Sequence, residues 1–117
     1  MLVIMDFEWA EAGGRVFPTQ LSAVRVLPGW RELARFDAII QPRPEVNWSF
    51  MAFNGHSAEE DLSAPTAVTV FRRFFSWLSP HDILCWWSSS QAVAFITLYK
   101  TLKKQALKNQ ERTISDS

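Results

Sequence analysis

Two acidic residues near the start of the sequence, Asp6 and Glu8, are the side chains whose type and spacing most directly indicate chemistry. They lie two residues apart in an apolar segment that predicts a β-strand, so both project from the same strand face. Neighbouring carboxylates on one face repel each other unless a cation or water separates them. Hard divalent cations such as Mg²⁺ prefer carboxylate oxygens and often use one or two of them. On spacing alone, a metal site and a pair of acids that simply emerge into water both remain open, and the second is the commoner case.

Three extended segments in the first part of the chain must position these acids. Leu2–Met5 is a continuous apolar run typical of a strand covered on both faces, and the strand continues to Trp9 before the glycine pair Gly13–Gly14. Further strands are predicted over Gln20–Leu27 and Phe36–Gln41, and each is followed by proline. Three strands with short connections are most simply an antiparallel meander.

The second part of the sequence predicts helices around one more strand. A helical turn is expected at Ser57–Glu60 within a long connection, and a clear helix follows over Pro65–Leu78. Asp82–Trp86 predicts a short strand, which a right-handed crossover would place parallel to the first. A second helix is expected from about Ser90 to about Lys108. The predicted fold class is therefore α/β, a mixed sheet with helices against it, with a domain over residues 1–110 and a disordered tail over 111–117.

Length, charge and cysteine content limit the classes of protein that fit. The 117 residues are enough for one domain, and 12 basic against 12 acidic residues exclude a globally basic nucleic-acid-binding coat. The single cysteine, Cys85, excludes an internal disulfide. No apolar stretch approaches the length of a membrane span, and acids interrupt the first apolar segment before a signal peptide could form. We therefore expect a soluble cytoplasmic protein with no membrane contact.

The order of several short motifs resembles a known family. Val3–Trp9 followed by Gln20–Val26 resembles the opening of 3′–5′ exonucleases of the DEDD superfamily. Phe36–Pro42, Phe53–Asp61 and Ile83–Trp87 continue the resemblance in the expected order, over roughly residues 2–102. The resemblance implies a ribonuclease H-like fold and hydrolysis of nucleic-acid phosphodiesters by two divalent ions, Mg²⁺ or Mn²⁺, held by four acidic residues.

The resemblance assigns roles to a few residues, and at other positions of the family's motifs this sequence has no matching acid. Asp6 and Glu8 match the first acidic motif, which implies that they are catalytic metal ligands. At the second motif the sequence offers Gln91, or one of the serines before it, and neutral glutamine binds Mg²⁺ far less strongly than an aspartate. The third motif, with its general base and last aspartate, would lie beyond Leu102, where nothing matches. His56 is a candidate contact for a substrate sugar or phosphate, although a surface-loop histidine is the commoner case.

An incomplete active site limits the expected activity. We expect a domain of the exonuclease family, incomplete at its carboxyl end, whose own hydrolysis is weak or absent. The alternative is a catalytically dead remnant that binds nucleic acid or a protein. Expected partners are single-stranded or 3′-ended nucleic acid and, because the strand Asp82–Trp86 would become an exposed edge, a second copy of the chain.

One further cluster of charge lies on the second predicted helix. Its members share one helical face and are Lys100, Lys103, Lys104 and Lys108. A solvated surface is the ordinary interpretation of such a face. Contact with the phosphates of a nucleic acid is the alternative.

Overall fold

Within the residues that the structure describes, the strands form one mixed sheet and two helices pack against it. The computed structural model describes residues 1–41 and 63–116, so His56 and the helical turn expected at Ser57–Glu60 lie outside the described residues. The strands are β1 (Leu2–Ala12), β2 (Arg15–Leu27), β3 (Arg31–Ile39) and β4 (Ile83–Trp86). The helices are α1 (Ala67–Trp77) and α2 (Ser89–Asp116).

The sheet has the predicted topology. Its strand order is β3-β2-β1-β4, in which β1 pairs antiparallel with β2, and β2 antiparallel with β3. β4 follows the crossover through α1 and pairs parallel with β1, from Leu2 opposite Ile83 to Met5 opposite Trp86. This arrangement confirms the α/β fold class, with its meander and parallel fourth strand.

Alternation along β1 separates the core from the face that carries the two acids. Val3, Met5 and Phe7 are fully buried and point toward the helices. Leu2 and the next even-numbered positions lie on the other face, where Leu2 is 39% exposed. The sequence predicts a strand covered on both faces, but the described residues cover one, because both helices pack on the side of Val3.

An aromatic seam joins the two helices to the sheet. α1 begins at the N-cap Thr66, whose Oγ1 accepts a hydrogen bond from the Thr69 N–H at 3.4 Å. Phe71 of α1 stacks on Phe95 of α2 at 5.0 Å between ring centroids, and Phe7 of β1 meets both rings edge-on. Aromatic contacts of this kind fix the helices against β1 and against each other.

The hairpin between β1 and β2 is longer than the sequence predicts. β1 reaches Ala12 and β2 begins at Arg15, with the two-residue turn Gly13–Gly14 at φ 57° and 74°. Two residues with positive φ make the tight turn that suits twisted strands, and glycine adopts this conformation without steric cost. Pro18 is accommodated inside β2 because a bulge at Glu8/Trp9 interrupts the regular ladder there.

The second helix also exceeds its prediction. α2 has 28 residues and runs to Asp116, about two turns beyond the end expected near Lys108. The polar residues after Lys108 include no glycine or proline, so nothing in them ends a helix. The division into a domain over 1–110 and a disordered tail over 111–117 stays a prediction. Within the described residues, neither helix combines the length and apolar character needed to cross a membrane.

Candidate functional site

The carboxylates of Asp6 and Glu8 lie on the sheet face opposite the helices. The strand places them on the same side because the neighbouring Met5 and Phe7 both point into the core. Asp6 is exposed and Glu8 is half-buried, with Glu8 Oε2 enclosed by protein atoms. The bulge that follows Glu8 ends the regular part of the strand, so the acids stand at the end of the shared β1–β4 ladder.

Gln91, in the first turn of α2, reaches the acidic pair from the neighbouring element. Its Nε2 donates a hydrogen bond to Asp6 Oδ1 at 3.4 Å. The Ser88 hydroxyl accepts the Gln91 backbone N–H at 3.3 Å and so holds the first turn of the helix in place. Gln91 Oε1 is enclosed and has no hydrogen-bond partner among the described residues. The structure therefore brings together three of the residues that the sequence singles out.

Two polar residues of β2, to which the sequence analysis gave no role, extend this surface. Ser22 lies directly opposite Asp6 in the β1–β2 ladder, and Gln20 lies opposite Glu8. Gln20 Nε2 donates to Ser22 Oγ at 3.3 Å. Leu21 and Ala23 are buried, so the alternation of a strand is enough to predict that Gln20 and Ser22 lie on the same sheet face as the acids. The pairing register that sets them directly opposite the acids is fixed by the hairpin and could not be predicted in this way.

A cleft of about 340 Å³ lies between the end of β1 and the start of α2, and its lining does not include Asp6, Glu8 or Gln91. It is formed by the part of β1 that follows Glu8 and by the first turns of α2. Its lining residues are Trp9, Glu11, Val16, Ser89, Ser90, Val93, Ala94 and Thr97. An indole wall and several hydroxyl groups give it a partly apolar, partly hydrogen-bonding surface.

The donor set decides which metal arrangement these residues fit. Within the described residues no cluster of three or more His, Cys, Asp or Glu side chains could hold a metal ion. Asp6 and Glu8 supply two carboxylates, and the free Gln91 Oε1 adds a neutral oxygen. This set fits one hard divalent cation that keeps water or substrate oxygens as its other ligands. It does not fit the two-ion, four-carboxylate arrangement that the family resemblance implies.

Another carboxylate, that of Asp82, lies in the loop before β4, beyond the opposite end of the β1–β4 ladder, and has a different environment. Arg25 Nη2 donates to Asp82 Oδ2 at 2.7 Å and to the Trp77 carbonyl at 2.9 Å, while its guanidinium lies 4.1 Å from the Trp77 ring. The Ser79 N–H donates to the same carboxylate at 2.8 Å, and the Met1 ammonium lies 3.8 Å from it. The hydrogen bonds from Arg25, and after them that from Ser79, hold the pKa of Asp82 below its usual range. We call this group the Arg25–Asp82 clamp.

Comparison with known proteins identifies a similar fold. No protein-family model matches the chain, and no curated protein matches it in sequence. The crystal structure of cell-death related nuclease 4 matches with a TM-score of 0.62 and 18% sequence identity, over 77% of this chain and 36% of that one. The chain thus spans about a third of the length of this solved structure. At this identity the similarity concerns the fold, and the sheet and helices described above are consistent with a ribonuclease H-like nuclease fold.

Proposed function

We propose that this chain is a module of the 3′–5′ exonuclease type, in which Asp6 and Glu8 bind Mg²⁺ or Mn²⁺ beside the 3′ end of a nucleic acid. The observation that carries the proposal is the hydrogen bond between Gln91 and Asp6. In the family resemblance, Gln91 matches the position of the second acidic motif. The nuclease-like fold supports it independently of that contact. Substrate discrimination between DNA and RNA forms no part of the proposal.

The side chains of this site would have three roles: binding the cation, orienting the Asp6 carboxylate and placing the substrate. Asp6 and Glu8 would hold the cation, which when bound supplies charge neutralisation and polarisation of a phosphate oxygen. Gln91 orients the Asp6 carboxylate through its Nε2 hydrogen bond. The adjoining cleft, with the Trp9 indole and the hydroxyls of Ser89 and Ser90, offers a surface for a terminal nucleotide.

The acids that the described part of the chain brings to this site limit the rate expected of the module. Catalytic groups that act as a unit lose several powers of ten in rate when one essential member is removed. Two carboxylates and a neutral amide therefore predict weak or absent hydrolysis by this chain, even where cation and nucleic acid bind.

Cation binding and hydrolysis test the proposal with a matched pair of variants. We expect the chain to bind Mn²⁺ weakly, roughly in the millimolar range, by calorimetry, and Asp6→Asn to lose this binding because one of its two anionic ligands is removed. Asp37→Asn is the control: Asp37 lies on the same face, two strands away, and its side chain is 52% exposed. Any Mn²⁺-dependent shortening of a labelled single strand of DNA or RNA should follow the same pattern.

Two results contradict the proposal. The first is Mn²⁺ binding that is unchanged in Asp6→Asn. The second is an equal loss of Mn²⁺ binding in Asp6→Asn and Asp37→Asn, which would show that the binding depends only on the general negative charge of the surface. Nuclease activity that survives in Asp6→Asn would indicate a contaminating enzyme.

The edge of the sheet supports a second candidate function, binding of a second copy of the chain. β4 is the last strand of the sheet within the described residues. Ile83 is 62% exposed on it, and Trp87, directly after it, is 75% exposed. An apolar edge with unpaired backbone groups favours strand-to-strand association. Light scattering at low micromolar concentration should then show dimers, and a stable monomer would remove this candidate.

A further inference from the structure

The zero net charge of the chain conceals an uneven distribution. Residues 63–110 contain six basic side chains and one acidic side chain. The basic residues are Arg72, Arg73, Lys100, Lys103, Lys104 and Lys108. The single acid, Asp82, is 3% exposed and belongs to the Arg25–Asp82 clamp. The outer surface of the helical layer over this range is therefore cationic, with no exposed carboxylate of its own.

None of the six basic side chains is neutralised by an ion pair within the described residues. All six are exposed. Lys100 and Lys104, and then Lys104 and Lys108, stand four residues apart on α2, a spacing at which like charges destabilise a helix. A surface that keeps such repulsion is suited to a polyanion, which relieves it on binding.

The four lysines lie on α2, which packs beside α1. Phe75 of α1 and Tyr99 of α2 lie 4.9 Å apart between ring centroids, so the two helices are neighbours. Lys103 lies one turn beyond Tyr99, with its Nζ 6.0 Å from that ring. From Lys100 to Lys108 the helix rises about 12 Å, the length of about three to four phosphates along one strand of a duplex.

We propose that the face formed by Lys100, Lys103, Lys104 and Lys108, which we call the lysine face, binds the phosphate backbone of a nucleic acid. This inference rests on the proposed function, and it assigns the surface that holds the substrate away from the cleavage point. Gln91 in the first turn of α2 contacts Asp6, and the lysines follow later on the same helix but on its outer side, so a strand bound to them must pass around α2 to reach the acids. Phosphate contacts of this kind carry affinity and salt dependence but no sequence preference.

The apolar side of α2 argues against a lipid surface as the occupant. Phe95 and Leu98 are buried against the sheet, at 3% and 7% exposure. A helix that lies in a membrane interface needs a free apolar face beneath its cationic one. Here Phe95 and Leu98 are used by the protein core, and only Val93 and Ile96, 63% and 46% exposed, remain as large exposed apolar side chains among those described on α2. Two such side chains give a smaller apolar surface than an interfacial helix needs, so we take a soluble polyanion as the occupant.

The test is a pair of double variants that remove the same charge from different surfaces. Lys100→Gln with Lys104→Gln reduces the lysine face, and Arg31→Gln with Arg35→Gln removes two exposed cations of β3. Binding of a fluorescein-labelled single strand is measured by anisotropy in EDTA, from about 50 to about 200 mM salt. We expect the lysine variant to bind roughly tenfold more weakly. The slope of log affinity against log salt concentration should become less steep by about 1.4, and both quantities should change little in the arginine variant.

The possible results separate this proposal from the proposed function. An unchanged salt slope in the lysine variant overturns it, and so does an equal loss in both variants. Lysine-dependent binding to phosphatidylserine vesicles with no lysine-dependent binding to DNA or RNA also overturns it. Because EDTA removes divalent cations, a failure of Asp6→Asn to alter Mn²⁺ binding would overturn the proposed function and leave lysine-dependent nucleic-acid binding intact. Circular dichroism of each variant confirms that a loss of binding does not reflect unfolding.

Discussion

Asp6 and Asp82 lie just beyond opposite ends of the ladder that pairs β1 with β4, and their surroundings differ in kind. Asp82 is 3% exposed and receives hydrogen bonds from Arg25 and Ser79, and the Met1 ammonium lies near it. Asp6 is exposed and has one long hydrogen bond, 3.4 Å, from the neutral amide of Gln91. One carboxylate is neutralised by the fold, whereas the other keeps most of its capacity to accept a ligand.

This difference separates a structural carboxylate from a candidate functional one. Buried charges are stable in proteins when they are paired and hydrogen-bonded, which the clamp achieves with residues of β2, α1 and the loop before β4. An acid left with few protein partners at the end of a parallel strand pair is placed where ligands bind in α/β sheets. Substitutions at the clamp and at the acidic pair should therefore have separate effects.

The largest effect is expected from breaking the clamp. Arg25→Ala removes the cation that pairs with Asp82 and leaves that carboxylate buried, so we expect the melting temperature to fall by roughly 10 °C or more. Arg35→Ala, on the adjacent strand, breaks an ion pair with Glu32 in which both side chains are about half exposed. This variant should lower the melting temperature by about 2 °C or less. Thermal melts followed by circular dichroism measure both. Similar shifts in the two variants would contradict the distinction.

A smaller effect is expected from adding a charge at the other end. Gln91→Glu keeps the side-chain length and gives Asp6 a carboxylate neighbour, so the affinity for Mn²⁺ should rise at least about tenfold. Gln105→Glu makes the same change on an exposed position of the same helix and should leave the affinity unchanged. Calorimetric titration distinguishes them, and equal gains in both variants would refute a specific role for position 91.

The smallest effect concerns acid sensitivity. Because the folded-state pKa of Asp82 is lowered, its contribution to stability is fully present above the unfolded value, about 3.9, and is lost as pH falls through the folded value. We expect Asp82→Asn to flatten the decline of melting temperature below about pH 4. Asp37→Asn, which alters an exposed carboxyl, should keep the slope of the unchanged protein. A slope that is unaltered in Asp82→Asn would show that other carboxyls govern acid unfolding.

The fold could be predicted from the sequence because its local patterns agree with one another. The apolar run of β1, the prolines after the next strands and the i, i+3, i+4, i+7 stripe around Phe71 each indicate an element and roughly its ends. The sequence predicts the two-residue glycine turn but ends the first strand near Trp9 and begins the second at Gln20, after Pro18. In the structure a bulge accommodates that proline.

The site was only partly predictable, because its contacts join distant parts of the chain. Alternation alone puts Asp6 and Glu8 on one face, whereas the contact of Asp6 with Gln91 spans 85 positions in sequence. Arg25 received no role, although a charged residue on the strand face of Leu21 and Ala23 is a signal that a buried partner is needed. Which acid would be that partner depends on tertiary packing, and no pattern around Asp82 identifies it.

The neutral amide of Gln91 has a consequence for how the molecule can be handled and how it can persist. Its Nε2–H donates a hydrogen bond to the Asp6 carboxylate and avoids the repulsion that a further carboxylate would create there, so the fold does not require a bound cation for its stability. On the proposed cation site, folding would therefore not depend on whether an ion is bound. Such a chain would fold where divalent ions are scarce and would bind them weakly where they are present.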